Sequence, residues 1–357
     1  MAAAGVERWL YPTEKGLYCE PGDFYIDPSR AVSRAIITHG HGDHARPGHQ
    51  AVLATPETIE VMKVRLGPEG ARSFEAFEAG TTKRIGGVDV RLAPAGHILG
   101  STQVVLEHNG ARAVVSGDYK RQPDPTCAPF ELVPCDVFVT EATFALPVFR
   151  HEPADGEVRR LLNSMAANPE RTHLVGVYGL GKCQRLIKLC RQAGYDGPIY
   201  LHGALVELTK LYQRLGVDLG EIGHIDPAAR STKSSKSKDY AGALALCPPS
   251  AVDDRWSRRF NDPVTSFASG WMRIRGRIRQ AGVELPSSSP TMPTGRGCSI
   301  LSWRRAQRRS GSRTGARTRS SISSGSWGAK RVRLPSWASR TRRSEASWSA
   351  SQMFSTG

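Results

Sequence analysis

The sequence predicts a mixed α/β fold (α+β) built in two parts and followed by a segment of unusual composition. Residues 1–144 alternate short apolar runs with turn residues, whereas from about residue 147 strand-like and helix-like runs follow each other in turn. Alternation of strands and helices is typical of a parallel α/β sheet. Residues 287–357 are rich in Ser and Arg and keep the period of neither a strand nor a helix. We therefore expect three regions, 1–144, 145–286 and 287–357.

Short strands joined by turns are expected in the first region. The run 35–37 is apolar and β-branched, and 88–92 alternates apolar with polar residues, as a half-buried strand does. Apolar runs also flank Asn109-Gly110, a dipeptide that favours a tight hairpin turn. In the second region we expect helices and strands to alternate, with the helices at 157–167 and 182–194 and the strands at 173–178, 198–201 and 243–247.

Composition excludes several classes of protein. No apolar run is long enough for a membrane span, and the N-terminal residues carry no export signal. The seven cysteines are odd in number and scattered, without a Cys-x-x-Cys pair, which favours reduced thiols in a cytoplasm over a disulfide framework. We therefore expect a cytoplasmic protein with no membrane partner.

The net charge of +16 is concentrated in the third region. Residues 287–357 hold 13 Arg, one Lys and one Glu, a net charge of +13, so the first 286 residues carry only +3. A basic, disordered arm that binds nucleic acid is one interpretation of this segment. Four Trp residues stand among its arginines, which is unusual for such an arm. The overall charge is therefore weak evidence for a nucleic-acid partner.

A His-rich loop carries the strongest chemical signal. The residues from Thr38 to His44 read Thr-His-Gly-His-Gly-Asp-His, directly after an expected strand. Neutral imidazoles and a carboxylate suit Zn²⁺, and Gly40 and Gly42 allow the sharp backbone that would let them converge. A lone His is more often a packed or surface residue, but four such groups within six residues indicate a metal site.

Two later segments each supply one more candidate metal ligand, first a His and then an Asp. His97 lies on a Gly-flanked loop within residues 95–101, and Asp118 follows an expected strand in Ser-Gly-Asp-Tyr. Each alone is a weak signal, because an Asp after Gly usually marks a turn. After the His-rich loop, both become expected ligands.

This order of residues resembles the signature of the metallo-β-lactamase superfamily. The resemblance implies an αββα sandwich that binds two zinc ions, with Mn²⁺ as an alternative metal. It assigns His39, His41 and His97 to the first zinc, Asp43 and His44 to the second, and Asp118 to a bridging position between them. Two ions about 3.5–4 Å apart can share a hydroxide and stabilise both the attacking and the leaving oxygen of a phosphodiester. Asp43 is also expected to orient the attacking water.

Two further acidic residues are candidates for catalysis. Asp27 resembles an early Asp of the family that supports the His loop, although it is equally the turn residue before Pro28. Glu141, within Thr-Glu-Ala-Thr-Phe, closes an expected strand at 136–140 and resembles the acid at which the β-CASP branch begins its inserted α/β cassette. An acid at a strand end is common, so the α/β unit that follows carries more of the argument.

Four segments extend the resemblance to bacterial ligase-associated DNA exonucleases over residues 1–286. They are 179–187, His202-Gly203-Ala204, 248–251 and 269–276. This resemblance implies DNA as the substrate, with RNA as the alternative, and a functional link to an ATP-dependent DNA ligase. It leaves the oligomeric state open.

Basic residues of the second region are expected to contact phosphates, which would make binding salt-dependent. They are Lys182, Arg185, Arg273 and Arg275. The loop from Gly179 to Lys182 either offers backbone N–H groups to an anion or is a plain turn between strand and helix. Its spacing excludes a Walker A loop.

The third region lacks two histidine motifs that the branch should hold, and the chain has no His after His224. We interpret 287–357 as a frame-shifted, disordered tail. Moving the reading frame back one nucleotide permits Ser-Asp-His-Ala-Asp-Trp, with its His where Met292 stands, and then Thr-His-Gly, with its His where Thr314 stands. The second zinc would then lack a His ligand, and we expect this chain to be inactive or nearly so.

Three rival functions stay open at this point. One is an RNA-processing nuclease of the same branch. Another is a small-molecule hydrolase such as a thioesterase, which would not need the cassette after Glu141. The last is a nucleic-acid-binding protein with a degraded site.

Overall fold

The chain is described by a computed structural model. The described residues are 5–141, 154–225, 240–268 and the backbone of 285–287. All of them lie within the unit 1–303. The expectations for the segment after Ser287 and for Arg273 and Arg275 lie outside the described residues.

Six short strands form the first sheet, in the order in which they occur along the chain. They are β1 (Leu10–Pro12), β2 (Leu17–Cys19), β3 (Phe24–Ile26), β4 (Arg34–Ile36), β5 (His49–Ala54) and β6 (Ala71–Ala76). β2 is antiparallel to both β1 and β3. The strands from β3 to β6 run parallel to one another. The expected apolar run forms β4, so the His-rich loop begins at an interior strand of this sheet.

Five strands form the second sheet. They are β7 (Thr82–Ile85), β8 (Val88–Pro94), β9 (Thr102–His108), β10 (Ala111–Val115) and β11 (Val137–Val139). β7 to β10 are antiparallel, and β11 lies parallel to β10 at the edge. Asn109 and Gly110 turn the β9–β10 hairpin with φ of 49° and 74°, as a type I′ turn requires. The predicted hairpin is confirmed.

The two sheets pack face to face over one apolar core. Ile26 and Ile36 of the first sheet share a buried cluster with Val90, Leu92 and Leu106 of the second. These side chains alternate along their strands with outward-facing residues, as the period of two requires. The sandwich fixes the loops that leave both sheets relative to each other.

Helix α1 (Pro56–Leu66) covers the outer face of the first sheet. It begins at Thr55, whose side-chain oxygen accepts a hydrogen bond from the backbone N–H of Thr58. Ile59 and Met62 pack on the first sheet, whereas Val61 packs in a different cluster. The sequence analysis did not predict this helix, because its apolar residues serve two partners and do not form one stripe.

The outer face of the second sheet is covered differently. Val133, in an irregular segment, packs there against Val105 and Val114. Residues 5–141 therefore contain three of the four layers of an αββα sandwich, namely the two sheets and the helix on the first sheet. The mixed α/β fold class is confirmed.

A third sheet of parallel strands with helices forms the expected α/β unit, called the cassette below. Its helices and strands are α2 (Ala154–Ala167), β12 (His173–Gly176), α3 (Lys182–Gln192), β13 (Ile199–Leu201), α4 (Gly203–Arg214), β14 (Gly223–His224), β15 (Leu244–Cys247), β16 (Val264–Ala268) and β17 (Leu285–Ser287). The strand order is β14-β13-β15-β12-β16-β17. None of the helices in the described ranges has the length and apolar character needed to cross a bilayer.

A buried group of ions joins the cassette to the segment after β10. The ammonium of Lys120 donates to Oδ2 of Asp124, and Nε of Arg185 lies 3.4 Å from the same oxygen. Asp124 Oδ1 accepts hydrogen bonds from the backbone N–H and hydroxyl of Thr126, at 3.0 and 2.6 Å. Burial alone would raise the pKa of Asp124, but Lys120 and Arg185 together lower it. Asp124 is therefore the anion that allows two cations to be buried.

Asp124→Asn should destabilise the protein strongly, because it leaves the two buried cations without their carboxylate. Breaking a buried ion pair in this way costs about 3–5 kcal/mol, which urea denaturation followed by circular dichroism can measure. The matched control is Asp218→Asn, which removes an exposed partner of Lys188 and should change little. Equal urea midpoints for the two variants would contradict this account.

Candidate metal centre

Three loops meet at one edge of the sandwich. Residues 37–44 follow β4, 95–101 follow β8, and 116–119 follow β10. Four of their side chains bring ligand atoms within 4.8 Å of one another: His39, His41, His97 and Asp118. These four residues are called the His/Asp group below.

The nitrogens of the His/Asp group face one another. His41 Nδ1 lies 3.1 Å from His39 Nε2 and 3.0 Å from His97 Nε2. Asp118 Oδ2 lies 3.6 Å from His39 Nε2 and 3.4 Å from His97 Nε2. Three ring nitrogens and one carboxylate oxygen directed into one space are a ligand set that suits a four-coordinate zinc ion.

Burial favours the neutral form of two imidazoles of this group, His39 and His41. It lowers the pKa of His39 well below its usual value, and the charges of His44 and His97 lower it further. Burial also lowers the pKa of His41 to about 4, against the opposing effect of Asp43. Since a metal binds the neutral imidazole, these residues need not lose a proton at neutral pH to act as ligands.

Asp118 presents its two oxygens to different neighbours. Oδ2 faces the three histidines, whereas Oδ1 lies 3.5 Å from Nε2 of His44. Among the described residues, Oδ1 is buried and accepts no hydrogen bond. Burial raises the pKa of Asp118 to about 6, although the charge of His44 lowers it. A buried carboxylate oxygen in this position is costly unless a cation satisfies it, so the residues present fit a divalent metal.

His44 extends the centre beyond the His/Asp group. Its Nε2 lies 3.7 Å from Oδ2 of Asp43 in addition to its contact with Asp118. Burial alone would lower the pKa of His44, but the carboxylates of Asp118 and Asp27 together raise it well above its usual value. Positive charge is therefore favoured here, whether it is a proton on His44 or a metal ion.

Asp27 holds the His-rich loop in place. Its carboxylate accepts hydrogen bonds from the backbone N–H of Thr38 at 2.8 Å and from the Thr38 hydroxyl at 2.6 Å. It also lies 2.8 Å from Nδ1 of His44. Asp27 is a turn residue as well, with φ of 44°. Asp27 therefore lies at a turn and orients His44, a candidate ligand.

Glu141 lies at the end of the β11 segment, partly exposed. Its backbone N–H donates to Oγ of Ser116 at 3.2 Å, which ties it to the loop that carries Asp118. Its charge contributes to the raised pKa of Asp118. It is therefore a neighbour of the centre and not a member of the His/Asp group.

The basic residues expected to contact phosphates differ in their placement. Lys182 is partly exposed at the start of α3, with its ammonium 4.6 Å from the centroid of the Tyr178 ring. Arg185 is only 6% exposed and lies against Asp124. The position of Arg185 therefore does not fit the expected phosphate contact, because the buried anion inside the protein holds its guanidinium.

Two contributions to the centre were missed by the sequence analysis. A guanidinium N–H of Arg65 donates to the carbonyl of Gly40. The carbonyl of Leu180 lies 3.4 Å from Nε2 of His41. Arg65 lies on the unpredicted helix α1, and a backbone carbonyl leaves no trace in a sequence, so neither could have been found from residue types alone.

Curated proteins similar to this chain include a DNA ligase and ribonucleases, whereas no family model matches it. The chain is 26% identical over 275 residues to a "Probable DNA ligase" of Opitutus terrae, a match covering 76% of this chain and 26% of that protein. It is 26% identical over 227 residues to "Ribonuclease TTHA0252" of Thermus thermophilus, covering 54% of this chain and 51% of that protein. It is 27% identical over 169 residues to "Endoribonuclease YSH1" of Gibberella zeae, covering 46% of this chain and 19% of that protein.

Each match thus spans only part of the relative, from a fifth to a half of its length. Among solved structures, one of a protein of unknown function from Enterococcus faecalis V583 aligns with 72% of this chain and 69% of its own, at a TM-score of 0.46 and 12% identity.

A divalent metal should stabilise the chain through the His/Asp group. Zn²⁺ at a hundred times its dissociation constant should add about 2.7 kcal/mol to the free energy of unfolding, seen as a higher melting temperature in a thermal-shift assay. His97→Ala should abolish most of this gain, whereas His224→Ala, which removes an exposed His, should keep it. An equal gain in both variants would show that zinc binds elsewhere.

Proposed function

The chain is a homologue of β-CASP nucleases of the metallo-β-lactamase superfamily, and on that premise we propose that it hydrolyses phosphodiester bonds at DNA ends in a metal-dependent reaction. The observation that carries the proposal is that four histidines surround the buried carboxylate of Asp118. They are the three histidines of the His/Asp group and His44. The printed names of the relatives, which include ribonucleases, support hydrolysis of nucleic acid as the reaction class.

The match to the ligase supports DNA over RNA. It is longer than either ribonuclease match, at 275 residues against 227 and 169. It occupies 26% of the ligase-named protein, which leaves room there for a separate ligase activity in the same chain. A shared chain would bring end processing and end joining to one DNA end. We infer a functional link between this protein and an ATP-dependent DNA ligase.

The residues divide into two candidate ligand sets. His39, His41 and His97 would hold one ion with Oδ2 of Asp118, and Asp43 and His44 would hold the second with Oδ1 of Asp118. Zinc suits the nitrogen-rich first set, with Mn²⁺ as the alternative. When bound, two such ions stabilise the attacking and leaving oxygens of a phosphodiester and lower the pKa of water to about 7.

The other residues position these groups. Asp27 orients the His44 ring through Nδ1, so that Nε2 points to Asp118. Asp43, which is exposed, would orient the attacking water and take up its proton. Glu141, near Asp118, is a second candidate for moving a proton at the scissile phosphate.

The frame-shifted tail limits what this chain can do. Without the two expected His motifs, the second ligand set lacks a His, and Glu141 lacks the His expected to act beside it. The ligase match of 275 residues is close in length to the 286 residues that precede the Ser/Arg-rich segment. A match of this length fits within the residues that precede Pro286, where we propose that the reading frame changes.

Restoring the frame should restore activity. A protein expressed after a one-nucleotide correction near codon 286 should degrade labelled single-stranded or double-stranded DNA in Zn²⁺ or Mn²⁺, while the chain as written should be inactive or nearly so. Resequencing the gene across this junction is the matching genetic control. Equal metal-dependent activity of the two proteins would refute the frameshift proposal.

Asp118→Asn in the frame-restored protein should lower DNA hydrolysis by more than about a hundredfold, because even partners of metal ligands contribute about 10- to 100-fold. Time courses with DNA and RNA of one sequence, labelled at either end, would measure both substrate preference and polarity. Faster cleavage of RNA would favour the RNA-processing alternative. Activity that survives in both Asp118→Asn and His97→Ala would contradict the metal mechanism.

A further inference from the structure

Tyr178 is an exposed aromatic residue next to the candidate metal centre. It follows β12, and its side chain is 40% exposed. Few other large apolar side chains in the described ranges are as exposed. The ammonium of Lys182 lies 4.6 Å from the centroid of its ring. A ring and a cation side by side are the two groups with which proteins bind the base and the phosphate of single-stranded nucleic acid.

The turn that carries Tyr178 and Lys182 is packed against the loops of the His/Asp group. The carbonyl of Leu180 lies 3.4 Å from Nε2 of His41. Gly181, with φ of +83°, approaches Ile98 so closely that a Cβ on it would lie 2.3 Å from a methyl carbon of Ile98. Ile98 is the neighbour of His97 in the chain. The turn therefore has a fixed position relative to two ligands.

Tyr178 lies close in the chain to Leu180, whose carbonyl reaches His41 of the centre. Tyr178 is two residues from Leu180, so their Cα atoms are separated by about 7 Å at most. Stacked nucleotides follow each other at about 3.4 Å along one strand. A base that stacks on Tyr178 would therefore lie within a few nucleotides of a phosphate at the metal centre.

The topology of the cassette places a ligand site at the same turn. In the sheet β12 lies between β15 and β16. The chain runs from β12 to β13, which lies beyond β15, whereas it runs from β16 to β17 in the opposite direction across the sheet. Ligands of open parallel sheets bind at the carboxyl ends of strands, where the direction of the connections reverses. The carboxyl end of β12 is such a point, and Tyr178 stands just beyond it.

The buried amide of Gln184 makes the turn rigid. Its Oε1 accepts a hydrogen bond from the backbone N–H of Gly181 at 2.8 Å, and its Nε2 donates to the carbonyl of Gly179 at 2.9 Å. Nε2 also lies 3.0 Å from the hydroxyl oxygen of Thr209 in α4. A ring held on a fixed backbone loses little conformational freedom when a ligand stacks on it.

We propose that Tyr178 and Lys182 form a subsite that holds a nucleobase and its adjoining phosphate next to the metal centre. The inference rests on the proposed nuclease function, and it gives the cassette a specific task. Tyr178 stacks on the base, which tolerates any sequence because every base has an aromatic face. Lys182 binds the phosphate and positions the strand end for the His/Asp group.

Binding of single-stranded DNA to the full chain tests this proposal without catalysis. Fluorescence anisotropy in EDTA would follow a labelled octanucleotide and a series in which one nucleotide at a time is abasic. Tyr178→Ala should weaken binding by roughly five- to a hundredfold, since a stacked base contributes that much. Tyr178→Phe should bind as the wild type does, and Lys182→Met should lower the salt dependence by about one phosphate contact.

The abasic series separates stacking from a general structural role. One abasic position should weaken binding to the wild type but cause no further loss in Tyr178→Ala. The control is Tyr195→Ala, which removes a ring paired with Arg191 beyond the opposite end of α3 and should leave DNA binding unchanged. Normal binding by Tyr178→Ala, or an abasic effect that persists in it, would overturn the subsite alone. No binding by the wild type would overturn the proposed function together with it.

Discussion

The structure around the centre depends on one buried carboxylate. Asp118 is 4% exposed and sits between three imidazoles on one side and His44 on the other. Burying an ion in this way is costly unless opposite charge lies close to it. The surrounding residues respond to this constraint. Asp27 orients His44, and the charges of Asp118 and Asp27 raise the pKa of His44, whereas burial lowers the pKa of His39 and His41. The carboxylates of Asp118 and Asp27, which favour a proton on His44, also favour a divalent cation in this space.

The sandwich brings the ligands of this centre together. β4 belongs to the first sheet, and β8 and β10 belong to the second, so the loops that supply the ligands meet only because the two sheets pack on each other. The cassette also contributes to the centre, because the carbonyl of Leu180 contacts the ring of His41. Its contact with His41 and the buried group around Asp124 both tie the cassette to the sandwich. These contacts hold the cassette in a fixed position relative to the His/Asp group.

Features that depend only on neighbouring residues in the chain could be predicted from the sequence. The His-rich loop, the Asn109-Gly110 hairpin and the alternation of strands and helices each lie within a short stretch of chain, and each was found. Helix α1 was not, because Val61 packs towards the cassette while Ile59 and Met62 pack towards the sheet. Arg185 was expected to contact a phosphate, but it is buried against Asp124. Its partner Asp124 is 61 residues away, and no local pattern indicates that pairing.

Every proposed role at this centre depends on a metal ion bound within the His/Asp group. A crystal structure of the chain grown with Zn²⁺, with anomalous diffraction recorded on both sides of the zinc absorption edge, tests this most directly. We expect an anomalous peak between the ring nitrogens of His39, His41 and His97 and Oδ2 of Asp118, about 2.0–2.2 Å from each ligand atom. Side chains that diverge around a space without such a peak would contradict the account.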